Sequence, residues 1–203
     1  MKIMKCIVSF LISILLLSSC GSSPQNVVDG LSGKVTMDGY EGRKVYLETT
    51  DASSTKVDSA IVTDGKFMIS FNDSLPKVYR LVLSSSDEDV YPITLPVVSE
   101  KGHVKVLMGE LVLTSGTPMN DALQDFLLAV SNFTDKVMKE ENPDMKKLAS
   151  DFGKLIEGAI MSNINTPVGV YIYQAYEGKL DDQQKSNILT RGGDSFKKAL
   201  TTN

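Results

Sequence analysis

Few side chains in this sequence combine a reactive type with a setting for chemistry. There are two cysteines, Cys6 and Cys20, and one histidine, His103. In "HVKVLM" His103 shares a strand face with Lys105, opposite Val104 and Val106. A histidine-based zinc site needs further His or Cys ligands, and no partner is available, so His103 reads as a surface strand residue. A Ser-His-Asp arrangement lacks its Gly-x-Ser-x-Gly elbow. Asp87-Glu88-Asp89, followed by Tyr91, lies in a polar loop after "LSSS". Clustered carboxylates can take calcium, but such a site uses six to eight oxygens in a set geometry. A solvated loop is the simpler reading. Asp181-Asp182 suits a helix N-terminus, where the dipole favours negative charge. Tyr171, Tyr173 and Tyr176 fall on one short helix, with Tyr171 and Tyr176 in its apolar stripe and Tyr173 facing outward. An outward aromatic can meet a sugar ring, although the chain has no tryptophan. No catalytic, cofactor-binding or metal-ligating set emerges, so no cofactor is expected.

Cys20 is the exception. Lys2 and Lys5 form a short positive segment, and Cys6 to Leu17 is apolar apart from Ser9 and Ser13. That run is shorter than the ~20 residues a bilayer-spanning helix needs, so it reads as the core of a secretory signal. Leu17-Ser18-Ser19-Cys20 resembles the bacterial lipobox: an aliphatic residue, two small residues and an acceptor cysteine. The resemblance implies diacylglycerol on the Cys20 thiol, cleavage after residue 19, and an acyl chain such as palmitate on the new amine. Two or more chains anchor stably where one is marginal. Cys6 would leave with the leader and Cys20 would be consumed by lipid, so no disulfide, Cys-x-x-Cys pair or thiolate nucleophile is expected.

Removing 19 leader residues from 203 leaves 184, enough for one large domain or two small ones with a hydrophobic core. With Lys2 and Lys5 removed from a net charge of −4, the mature charge is about −6. A negative field argues against nucleic acid and against a polybasic membrane patch.

The elements that position these residues fall into two halves. Residues 20–30, through "GSSPQNVVDG", form a polar tether. Residues 31–114 alternate as strands: "GKVTM", "RKVYLET", "VDSAIV", "KFMISF", "KVYRLVL", "YPITLPVV", "HVKVLM" and "ELVLTS". Thr63-Asp64-Gly65 between two of them is a strong hairpin signal, since a type I′ turn takes positive φ at both central residues. Pro92 and Pro96 mark an edge strand or a bulge. An antiparallel β-sandwich or open barrel of seven or eight strands follows. From residue 117 the period changes, and the fold class is α+β. Thr117-Pro118 and Thr166-Pro167 start helices. Met119, Leu123, Phe126, Val130, Phe133 and Val137 form one stripe. Met145, Leu148, Phe152, Leu155, Ile156, Ala159 and Ile160 form the next. A third helix over Val168–Tyr176 and a fourth from Asp181, interrupted at Gly192-Gly193, complete a helical region over 117–203.

This order of elements resembles a domain of unknown function in Bacteroidetes envelope lipoproteins. The match rests on Gly33, Val45-Tyr46-Leu47, Asp58-Ser59, Asp64-Gly65-Lys66-Phe67, "TSGTPMNDALQDF" and "NTPVGVYIYQAY". In those proteins a thioredoxin-like domain with Cys-x-x-Cys follows the helices. This chain departs from that pattern and has no position onto which redox chemistry could be carried. Asp58-Ser59-Ala60 and Asp73-Ser74-Leu75 also resemble the short O-glycosylation acceptor of that phylum, although plain strand and turn chemistry explains both.

The expected function is a non-enzymatic binding or scaffolding module, lipid-anchored at the outer membrane. A membrane contact through the anchor and another envelope protein are the expected partners. No acidic run follows Cys20 to direct export to the cell surface, which favours the periplasmic face. One alternative is assistance in trans to a thioredoxin-like oxidoreductase. Another is a hydrolase with a carboxylate site that no spacing reveals.

Overall fold

The structure, a computed structural model, describes residues 29–84, 86, 89 and 91–202. Cys20, the leader, most of the tether, Asp87 and Glu88 lie outside the described residues.

Eight strands come first: β1 (Gly30–Val35), β2 (Lys44–Thr49), β3 (Lys56–Ile61), β4 (Lys66–Ser70), β5 (Lys77–Leu83), β6 (Ile93–Ser99), β7 (His103–Met108) and β8 (Val112–Ser115). They form two four-stranded sheets, β4-β1-β7-β8 and β3-β2-β5-β6. The sheets do not close into a barrel, so the sandwich is the form adopted. Period-two alternation puts Leu31, Val45, Leu47, Phe67, Ile69, Leu81, Leu83, Leu95, Val97, Val104, Val106 and Met108 between the sheets. Gly33 is required there, because a Cβ at that position would lie 2.0 Å from the Phe67 ring.

Two features depart from a simple meander. All ladders are antiparallel except β1 with β7, which run parallel with Gly30 beside His103 and Val35 beside Met108. The Asp64-Gly65 turn also forms as expected, with φ of 51° and 64° and a bridge between Thr63 and Lys66. Its flanking strands do not pair into a ladder, however. β3 joins β2 in one sheet and β4 joins β1 in the other. The turn therefore carries the chain across the sandwich, and Glu41 holds it by accepting the Asp64 and Gly65 amides at 2.9 and 3.1 Å.

Four helices follow: α1 (Pro118–Met138), α2 (Met145–Ser162), α3 (Pro167–Tyr176) and α4 (Asp182–Thr202), with a short 3-10 turn, Glu177–Lys179, before α4. Asp144 caps α2 by accepting the Lys146 and Lys147 amides at 3.0 Å. Asp181 and Gln184 form a reciprocal capping box at α4, at 2.8 and 3.0 Å. Gly193, with φ 61° and ψ −158°, breaks α4. Few residues other than glycine tolerate that conformation. The break folds Phe196 back onto Gly192 and brings its ring edge-on to Tyr173, centroids 5.7 Å apart.

The helices build a second core from Leu123, Phe126, Ile156, Ile160, Val168, Ile172, Ile188 and Phe196, which also takes Val98 from β6. The stripe of α3 is wider than its spacing suggests. Tyr173 is buried, whereas Tyr171 and Tyr176 are only partly so and Ala175 is exposed. This corrects the expected outward Tyr173: α3 is covered on most sides, so one polar face never existed. Met145, expected in the stripe of α2, is 69% exposed.

Among the described residues no helix is long and apolar enough to cross a membrane.

Candidate functional site

The junction of sandwich and helices is organised by α1. β6 and β8 are the outer strands of their sheets on the same side, so each offers unpaired backbone groups that need partners. Pro96 has no N–H to offer along β6, which fits its edge position. Asn120 supplies what a neighbouring strand would. The Val98 amide donates to its Oδ1 at 2.9 Å, and its Nδ2 donates to the Val98 carbonyl at 2.9 Å. One turn later Gln124 Oε1 accepts the Thr114 amide of β8 at 2.7 Å. A single helix face thus closes one edge of each sheet. Glu100, in the β6–β7 turn, accepts the Met119 and Asn120 amides at 2.8 and 3.1 Å and serves as the cap that Thr117 does not provide. Asp121 reaches back to accept the Gly116 amide at 2.8 Å. These contacts tie Gly116, Met119 and Asn120 of the junction into the fold.

Beside this junction lies a cleft of about 530 Å³. Three elements line it. Pro76 comes from the β4–β5 loop, Ile164 to Pro167 and Val170 come from the start of α3, and Ser195, Phe196, Lys198 and Ala199 come from the part of α4 after its break. The α2–α3 turn is fixed by the Asn163 carbonyl, which accepts both the Thr166 amide and its hydroxyl at 3.0 Å. Gly169 lets α3 approach that carbonyl, where a Cβ would sit 2.3 Å from the oxygen. The lining combines apolar side chains with hydroxyl, amide and ammonium groups. That lining suits an amphipathic guest such as an extended peptide segment. No carboxylate among the described residues lines it.

The other residues singled out in the sequence are dispersed. His103 is partly buried, with Nε2 2.7 Å from Ser32 Oγ across the β1–β7 pair. No carboxylate among the described residues bonds to it. Asp89 accepts the Tyr91 amide at 2.9 Å within its loop, and Tyr91 is 90% exposed. Ser59 and Ser74 are both exposed, on β3 and in the β4–β5 loop. Asp58 and Asp73 border a smaller hollow of about 170 Å³ with Tyr79. There the Tyr79 hydroxyl donates to Asp73 at 2.9 Å, and Lys77 lies 3.2 Å from the same carboxylate. Burial, then the Asp73 carboxylate, pushes the Tyr79 phenol up to about 12. Burial likewise raises Tyr171, Tyr173 and Tyr176. Among the described residues no three of His, Cys, Asp and Glu gather to hold a metal ion.

Sequence reasoning missed Asn120, Gln124 and Ser32. The first two had a signal in retrospect: uncharged amides spaced i, i+4 beside Leu123 and Phe126 lie within the buried stripe. Ser32 had none, because its neighbour His103 is 71 residues away.

The chain matches no curated protein and no solved structure. Residues 30–123, from the first residue of β1 through Leu123 of α1, match the family model described as a domain of unknown function (DUF4369).

Proposed function

We propose that this is a lipid-anchored cell-envelope protein, held at the outer membrane with its body on the periplasmic side. It binds or scaffolds a partner and carries out no catalysis of its own. The observation that carries the reading is Leu17-Ser18-Ser19-Cys20, placed directly after a basic segment and a short apolar run. Lipid on Cys20 gives a chain whose described residues include no spanning helix a stable hold on a membrane. Asp29 lies nine residues beyond Cys20, a distance of roughly 30 Å when extended. Its carboxylate accepts the Gly102 amide at 2.8 Å and its carbonyl accepts the Phe71 amide at 3.0 Å. The fold therefore starts firmly at the end of a tether. The cleft between Pro76, α3 and α4 is the binding surface this reading assigns.

The test is intact mass and membrane partitioning of the native protein beside Cys20→Ala. A wild type that starts at Cys20, carries acyl mass and floats with membranes, where the variant does neither, supports the anchor. A soluble wild type with a free Cys20 thiol sinks it.

A second reading follows from the resemblance to modules that precede thioredoxin-like domains. The chain would support such a protein in trans, with the cleft receiving it. Co-purification of a thioredoxin-like protein with the tagged chain after gentle crosslinking is the expected result, and its absence counts against the idea.

A further inference from the structure

The net charge of −4 conceals how the lysines are placed. In the sheet β4-β1-β7-β8, residues pointing away from the core fall into rows set by the register. One row is Lys66, Lys34, Leu107 and Leu113. The next is Met68, Ser32, Lys105 and Ser115, and Ser70 and His103 follow. The face holds three lysines and a histidine and not one carboxylate. Lys34 and Lys66 are directly opposed across an antiparallel pair, an arrangement that disfavours the sheet unless something negative sits above it. Among the described residues none of the three lysines pairs with an acid, whereas Lys77, Arg80, Lys147 and Lys154 all do. Both cores lie elsewhere, one between the sheets and the other against the opposite sheet. Met68, midway along the edge strand β4, is 70% exposed.

We propose that this sheet face is a docking surface for an anionic lipid membrane. The inference rests on the lipid-anchor reading above. The face is a four-stranded pleated surface, roughly 15–20 Å on each side. Its lysines can reach phosphate groups while Met68 enters the headgroup boundary. The tether leads straight into β1, the second strand of this sheet, so a chain anchored at Cys20 can lay the face down. Each lysine adds about fivefold to affinity for an anionic surface, so three act together as a contact of about a hundredfold.

The test uses the full chain in two vesicle types, phosphatidylcholine alone and phosphatidylcholine mixed with phosphatidylglycerol. Lysine acetylation rates are read residue by residue. Lys34, Lys66 and Lys105 should be labelled at least about fivefold more slowly in the anionic vesicles. High salt should restore their rates. Lys147 and Lys185 on the helices should not change. Lys34→Glu, which turns a like-charged pair into an opposite one, should keep the fold and lose the protection of Lys105. Equal labelling in both vesicles, with the chain still bound to each, overturns the proposal. A chain that floats only with the anionic vesicles, with the three lysines protected there, upholds the face while sinking the anchor. A chain that floats with neither and shows no protection overturns both.

Discussion

Asn120→Ala is the sharpest perturbation the junction offers. Asn120 and Val98 are both fully buried, and the carboxamide satisfies both Val98 backbone groups at 2.9 Å. Truncation leaves an amide and a carbonyl without partners on an edge strand covered by α1. Each such group costs about 1–3 kcal/mol, so the expected loss is about 2–6 kcal/mol. That is a large share of the 5–15 kcal/mol typical of a folded chain. Urea unfolding should show a lower midpoint with an unchanged slope. For a protein of this size the melting temperature should fall by about 4–24 °C. Asn120→Asp refines the test. Its carboxylate still accepts the Val98 amide but faces the Val98 carbonyl and Glu100, whose oxygen lies 3.3 Å from Asn120 Nδ2. Those neighbours raise the folded-state pKa of the new carboxyl above its unfolded value. Its stabilising contribution is then present at low pH and lost as pH rises through the folded value. The variant should therefore recover on mild acidification. A loss below about 0.5 kcal/mol for Asn120→Ala, within the scatter of surface substitutions, would refute the view that this side chain closes the edge.

Three further outcomes can be checked on the same preparations. The Tyr79 phenol, at about 12 in the folded protein against an ordinary 10, favours the fold below pH 10, and that contribution is lost as pH rises toward 12. Tyrosinate absorbance should show several late-titrating phenols, Tyr79, Tyr171, Tyr173 and Tyr176, and Tyr79→Phe should remove the one near 12; a titration identical to wild type would contradict the assignment. Asp73 is opposed by burial but held below the usual carboxylate value by bonds from Ser99, Tyr79 and Lys77, so Asp73→Asn should flatten the loss of stability below pH 4. Gly193→Ala should cost about 1–3 kcal/mol, because its backbone conformation suits glycine alone. By contrast Gly158→Ala, with open space around it on α2, should gain about 0.5–1 kcal/mol; equal effects at the two sites would defeat the argument.

Alternation along the chain was enough to place most strands, although β1 runs over Gly30–Val35 where "GKVTM" put its start at Gly33, and the change of period at Thr117 placed the switch to helices. Both are local signals, carried by residues within a few positions of each other. Sheet membership is not local. Asp64-Gly65 reports that the chain reverses, but whether β3 and β4 then pair or part depends on β1 and β2, far away in sequence. The parallel β1–β7 ladder joins residues more than 70 apart, and no nearby residue announces it. Tyr173 was misplaced because a helical stripe identifies a buried face only when another face is wet, and α3 has little wet surface. The cleft was invisible for a related reason: Pro76, Pro167 and Phe196 meet only after three separate segments have packed.

The amide clamp of α1 also bears on where this chain can be cut. Once residues 30–115 have left the ribosome, every strand is present, yet β6 and β8 still show bare backbone to any strand that passes. Only the next few residues bring Asn120 and then Gln124 to cover them. The stretch that matches the family model ends at Leu123, one residue before the second clamp. A fragment trimmed to that boundary would keep one sheet edge guarded and leave the other adhesive. The smallest piece that stays apart from its own copies therefore extends past the matched stretch, into α1 and the helices that hold α1 down.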